Sequence, residues 1–99
     1  MSEYIISEKA LEDINNIWIY TAENWSVEQA DRYYNLIIDE IEYIVRNFEM
    51  ARDFAKIRKS YRYSKVKSHI IFFKKEKTNE IEIIRVIHER MDIENRLTE

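Results

Sequence analysis

The 99-residue chain contains no cysteine, no glycine and no proline. Without cysteine it can form neither a disulfide staple nor a thiolate zinc site, a composition that suits a reducing compartment. Without glycine it cannot build a Walker A or dinucleotide-binding loop, because both need a residue lacking Cβ where backbone approaches phosphate. Turns must then be made by Asn, Ser, Asp and Lys. No apolar run approaches the roughly 18 residues of a membrane span, and the N-terminus lacks the apolar stretch of a signal peptide. These absences lead us to expect a cytoplasmic protein with no metal and no cofactor.

What is present is a globular balance, with 45% hydrophobic and 35% charged residues. The length suits one domain over residues 1–99, which on folding buries roughly 65% of the surface of the unfolded chain. Seven Tyr, four Phe and two Trp must supply much of the core volume. Charge is unevenly distributed. Residues 1–50 hold three basic and eleven acidic side chains, whereas residues 51–99 hold thirteen and eight. The densest block, Arg52 to Lys77, carries ten basic side chains against Asp53 and Glu76. Such polarity implies a molecule with one basic face. Solvated strand faces rich in Lys are the plainer explanation of the same block.

Tyr4-Ile5-Ile6 reads as a short opening strand. Ser7 offers an N-cap, and Ala10, Ile14, Ile17 and Thr21 recur at helical spacing, which predicts an amphipathic helix over residues 8–23. Ser26-Val27-Glu28-Gln29 is a capping box. It opens a second helix with the stripe Ala30, Tyr33, Ile37, Ile41 and Ile44, ending near Arg46. The join between them is about two residues long, so the helices form an antiparallel hairpin with Trp25 at its corner. Periodicity fades over residues 47–59, which read as a loop or ragged helix end. Strand alternation begins near Ser60, with Tyr61 and Tyr63 on one face and Arg62 and Ser64 on the other. His69-Ile70-Ile71-Phe72-Phe73 is continuously apolar after its first residue, as a central strand covered on both faces would be. Residues 74–79 read as a turn and residues 81–88 as a last strand, with Asp92 placed to begin a short C-terminal helical turn. The fold class is therefore α+β, in the order β-α-α-β-β-β, with the helix hairpin packed on a small antiparallel sheet.

That order in about a hundred residues resembles the RelE/ParE toxin superfamily, and the residues resemble its ParE branch. The pattern Ser7-x-x-Ala10-x-x-Asp13-x-x-x-Ile17-x-x-Tyr20, followed by Trp25 and Gln29-Ala30, carries the N-terminal half of the likeness. Ile57-Arg58, Tyr61-Arg62, Ser68-His69-Ile70-Ile71-Phe72-Phe73 and Ile84-Arg85-Val86-Ile87-His88-Glu89-Arg90-Met91-Asp92 carry the more specific C-terminal half. The chain departs from the family after the second helix, where ParE-like chains carry Gly and often Pro but this one reads Asn47-Phe48-Glu49-Met50-Ala51-Arg52. The resemblance implies the toxin of a type II toxin–antitoxin pair, neutralised by a cognate antitoxin and directed at DNA gyrase without catalysis. It implies no sequence-specific DNA binding by the toxin alone. The RelE branch shares the fold but cleaves mRNA on the ribosome, and a low-toxicity antitoxin-binding module is a third reading; a shared fold does not choose among them.

Candidate site residues follow from the chemistry each reading needs. RNA cleavage needs a base for the 2′-hydroxyl, an acid for the leaving oxygen and cations for the phosphate, for which His88, Arg85, Arg62 and His69 are the candidates. Strict alternation, however, sets Arg85 and His88 on opposite faces of the last strand. Antitoxin segments in this superfamily wrap their toxins as a helix and a strand, so Tyr34, Ile38 and Val45 off the main helical stripe, with Arg62 and Arg85, are candidate antitoxin contacts. Each has a plain structural alternative: wide-core packing for the apolar three, and for Arg85 an ion pair with Asp13 or Asp92. The gyrase-facing candidates are His88, Arg90, Met91 and Asp92, with a hydrogen bond in the C-terminal turn as the plain role of His88. The two Trp residues read as helix-packing groups.

Overall fold

The computed structural model describes residues 4–50, 52, 53, 60–91, 93 and 97. In chain order these form β1 (Tyr4–Ile6), α1 (Glu8–Asn24), α2 (Val27–Arg46), a 3₁₀ turn (Phe48–Met50), β2 (Arg52–Asp53), β3 (Arg62–Val66), β4 (His69–Lys75) and β5 (Ile81–His88). Both helices start where a side chain caps them. Ser7 Oγ accepts from Ala10 N at 3.0 Å, and Ser26 Oγ accepts from Gln29 N at 3.1 Å. Only this half of the predicted capping box is made, because the Gln29 side chain instead lines a groove described below.

The sheet order is β1-β5-β4-β3-β2. β3, β4 and β5 form the expected antiparallel meander, and β4 is central. Two features go beyond the sequence reading. The two-residue β2 adds antiparallel to β3 within the stretch expected to be a loop, while β1 adds parallel to β5, pairing Tyr4 with Ile81 and Ile6 with Ile83. Strands of three and two residues carry too little alternation to declare a register. The second feature is a bulge in β5. Phe73 opposes Ile83 and Phe72 opposes Arg85, which leaves Ile84 as the extra residue.

The helix hairpin covers one face of the sheet. Ala10, Ile14, Ile37, Ile41, Ile44 and Val45 pack there against Val66, Ile71, Phe73, Ile81, Ile83 and Val86. On the other face Phe72 and Ile87 are buried beneath Leu97, with Tyr61, Tyr63, Ile70 and Ile93 around them. The continuous apolar run of β4 is thereby explained, since Ile71, Phe72 and Phe73 are all fully buried and point to alternate covered faces. Each buried Phe contributes about 2–3 kcal/mol relative to exposure. With no glycine in the chain, the positions in the left-handed region are taken by Ser60, Lys67 and Asn79, at φ of 73°, 54° and 68°. Lys67 and Ser68 alone connect β3 to β4.

Candidate functional site

The β5 bulge sets up the site. Beyond it, Arg85 binds Asp13 of α1 through two hydrogen bonds, Nε to Oδ2 at 2.8 Å and Nη2 to Oδ1 at 3.0 Å. The same Oδ2 accepts from Val86 N at 3.0 Å. Asp13 therefore satisfies a guanidinium and a backbone donor together, and both side chains of the pair are largely buried. This is the structural ion pair that the sequence allowed, with Asp13 as partner. Ser7 ties α1 to the same strand by donating from N to Ile83 O at 3.0 Å and from Oγ to Ile84 O at 2.8 Å. β1 ends opposite Ile83, so among the described residues no strand lies along the outer edge of β5 from Arg85 onwards.

A groove of about 1110 Å³ runs along that edge between the helix hairpin and the end of the β4–β5 ladder. Ile17, Tyr33, His69, Val86 and His88 lie within it, and Tyr20, Trp25, Leu36 and Met91 stand at its walls. Trp25 is 63% exposed, with its ring 6.1 Å from that of Tyr20. The expectation of two helix-packing tryptophans thus holds for one. Trp18 joins the helices by donating from Nε1 to Asp31 at 2.9 Å, whereas Trp25 offers its surface to the groove. Lys9, Arg32, Lys67 and Arg90 line the groove as cations, with Glu12 as an acidic neighbour.

His69 and His88 are direct cross-strand partners, with ring centroids 5.1 Å apart and planes at 82°. His69 Nδ1 lies 2.6 Å from the Tyr33 hydroxyl, which in turn donates to Val66 O at 3.0 Å. Burial is the main cause holding His69 down to about 4, and the neighbouring His88 adds to it. His69 is therefore neutral at physiological pH. Burial likewise pushes the Tyr33 phenol up. His88 Nδ1 accepts from Arg90 N at 3.1 Å, so His88 does fasten the C-terminal turn. Glu89 is held below the usual carboxylate range by its hydrogen bond and ion pair with Lys65 at 2.8 Å.

The structure brings His69, His88 and Arg85 into one groove, despite the alternation that separates Arg85 from His88, and leaves Arg62 outside it. Arg62 instead donates to Phe48 O at 3.2 Å and stacks over the Phe48 ring at 4.5 Å, where Lys75 stacks at the same distance. Of the apolar antitoxin candidates, Tyr34 is exposed, Ile38 packs half-buried on the main core, and Val45 is 5% exposed within it. Val45 and Ile38 are thus wide-core residues, because α2 turns a broader stripe toward the sheet than its principal row. Arg90 and Met91 are exposed at the groove, and Asp92 lies outside the described residues. The sequence reading missed Tyr33 as a polar anchor and overlooked Trp25, Arg32 and Lys67 as groove residues. A Trp stranded in a two-residue interhelical join was the available signal for the first of these three; nothing in the sequence pairs Arg32 with Lys67.

The architecture is that of a small α+β domain whose helix hairpin and meander leave an open groove along the end of β5. A family model for the ParE toxin of the type II toxin-antitoxin system, parDE, matches residues 4–93. The chain is 34% identical over 92 residues to Toxin ParE1 of Caulobacter vibrioides, covering 93% of this chain and 94% of that one. It is 31% identical over 96 residues to Toxin ParE1 of Mycobacterium tuberculosis, covering 97% and 98%. The fold also matches a solved structure described as the chromosomal ParDE TA system from P. aeruginosa, with a TM-score of 0.77 over 89% of this chain and 96% of that one. At 18% identity that likeness speaks for the fold. The chain belongs to the ParE toxin family of type II toxin–antitoxin systems. No helix among its described residues is long and apolar enough to cross a membrane.

Proposed function

We propose that this chain is a cytoplasmic toxin that inhibits DNA gyrase by binding rather than by catalysis, and that a cognate antitoxin silences it by filling the groove along β5. The observation that carries the reading is the groove itself. It joins a strand edge that is unpaired among the described residues to exposed aromatic and apolar side chains, which suits an added strand and an amphipathic helix from one partner. Its cations suit an acidic segment. Arg90 and Met91 stand at its end, where a target surface can reach them. Inhibition without catalysis is supported by the state of the acid–base candidates. Arg62 is elsewhere, Arg85 is matched by Asp13, and His69 is neutral and bound to Tyr33.

One observation favours mRNA cleavage as a second reading, namely the contact between the His69 and His88 rings beside groove cations. Purified protein in a gyrase supercoiling assay, run beside ribosome-programmed mRNA cleavage, separates the two. We expect supercoiling to be inhibited and mRNA to stay intact. Unaffected supercoiling together with codon-positioned cleavage that His88→Ala abolishes would sink the first reading in favour of the second.

A further inference from the structure

The His69–His88 end of the groove gathers two imidazoles and two cations. Each imidazole is anchored through Nδ1. The single Tyr33 hydroxyl proton goes to Val66 O, so His69 carries its own proton on Nδ1 and donates it to the Tyr33 oxygen. His88 Nδ1 accepts from Arg90 N, so the proton of the neutral ring sits on Nε2. Neither Nε2 makes a hydrogen bond among the described residues. Lys67 and Arg90 line the same groove, and among the described residues neither has a carboxylate partner. Of the carboxylates in the groove region, Glu89 is engaged by Lys65 and Asp13 by Arg85 and Val86, while Glu12 lines the groove on α1.

We propose that this end of the groove is an oxyanion site, taking a phosphate group on the His88 Nε2–H, the Lys67 ammonium and the Arg90 guanidinium, with the His69 ring completing the set. The inference stands whether gyrase or the ribosome is the target. The His88 Nε2–H, two flexible cations and, once it is protonated, the perpendicular His69 ring supply donors from several directions, which suits a tetrahedral group better than a planar carboxylate. A metal cation fits poorly: of the two rings only His69 presents a lone pair on Nε2, and Lys67 and Arg90 stand beside it as cations.

Binding is coupled to a proton. Facing His69 are Asp13 from α1, Tyr33 from α2, Lys67 from the β3–β4 turn, and His88, Glu89 and Arg90 from the end of β5. Burial and His88 keep the ring neutral, with Asp13 and Glu89 opposing them. A bound anion adds negative charge and an acceptor, and both favour the imidazolium. Affinity should therefore rise as pH falls, by at most about tenfold per pH unit, within the window between the anion-bound pKa and the free value. That free value is about 4, and below it the gain is complete.

Sulfate is the first probe, because it stays a dianion across that window. The full chain is titrated with sulfate while the imidazole resonances are followed by NMR at about pH 4 and about pH 6. We expect both rings to shift, the His69 midpoint to rise by roughly one unit, and binding to be roughly fivefold tighter at about pH 4 than at about pH 6. Inorganic phosphate should act likewise and acetate should not. A single-stranded oligonucleotide compared with inorganic phosphate tells a backbone diester from a free phosphate. The Lys67→Ala/Arg90→Ala variant, altered only at exposed side chains, should lose binding at least tenfold, by roughly 1.4 kcal/mol. His69→Gln should bind with a reduced pH dependence and no longer tighten between about pH 6 and about pH 4 as the parent does. Unmoved imidazoles, acetate matching sulfate, or a double variant that binds like the parent would each overturn the assignment.

Discussion

The two halves of β5 use the same strand for opposite purposes. From Ile81 to Ile83 it is paired on both edges, by β1 and β4, and Ile81 and Ile83 lie in the main core. From Arg85 to His88 it keeps β4 on one side but lines an open groove on the other. The bulge at Ile84 divides them. The first half is held by burial and pairing on both edges, and the second also by a side chain reaching from α1, Asp13 to Arg85 and to the Val86 N–H. A strand that stays ordered without a second neighbour needs such side-chain substitutes for its ladder bonds. The edge left uncovered is the one a partner strand can use.

This contrast can be broken by removing what holds each half. The largest effect is expected beneath the sealed half, where Phe73→Ala should cost about 3–5 kcal/mol in urea unfolding through the cavity it leaves. Next comes the pin at the divide. Asp13→Ala removes two hydrogen bonds from the Arg85 guanidinium and leaves the Val86 N–H without its acceptor, and should cost about 2–4 kcal/mol. Asp13→Asn keeps an acceptor for Val86 and should cost less; equal losses would show that the backbone contact contributes nothing.

A smaller effect, one that depends on pH, belongs to the groove half. The folded pKa of His69 is depressed from 6.5 to about 4. Its contribution to stability is fully present above about pH 6.5 and fades as pH falls toward 4. Discounted for partial exposure, His69→Gln should relieve about 1 kcal/mol of acid destabilisation near pH 5. The smallest expected change is Lys67→Gly, which frees a left-handed position of its Cβ and should stabilise by about 0.5–1 kcal/mol, read as a Tm raised by a few degrees.

The sealed parts of the molecule were legible in the sequence because burial writes periodicity. The helix starts at Ser7 and Ser26, the row from Ala30 to Ile44 and the doubly covered run from Ile71 to Phe73 could all be read from spacing alone. The groove was legible only in pieces. His69, His88, Arg85 and Arg90 stood out by residue type, and alternation rightly set Arg85 and His88 on opposite faces of a regular stretch of β5, but it could not show that both would line one groove at the strand's edge. Arg62 drew notice as a cation and proved to be held by Phe48. Tyr33 looked like one more member of an apolar row, since its ring packs as expected while its hydroxyl reaches His69. Contacts between α2 and the β3–β4 turn depend on tertiary geometry, which no local pattern records.

The most direct measurement compares supercoiling inhibition by the parent chain and by the Arg90→Ala/Met91→Ala variant, with thermal unfolding followed in parallel. Both side chains are exposed, so unfolding should shift by no more than about 0.5 kcal/mol. We predict that the parent inhibits gyrase and that the variant needs at least roughly tenfold more protein for the same effect, a loss of about 1.4 kcal/mol in binding. Equal inhibition by the two chains, or none by the parent, would contradict the account.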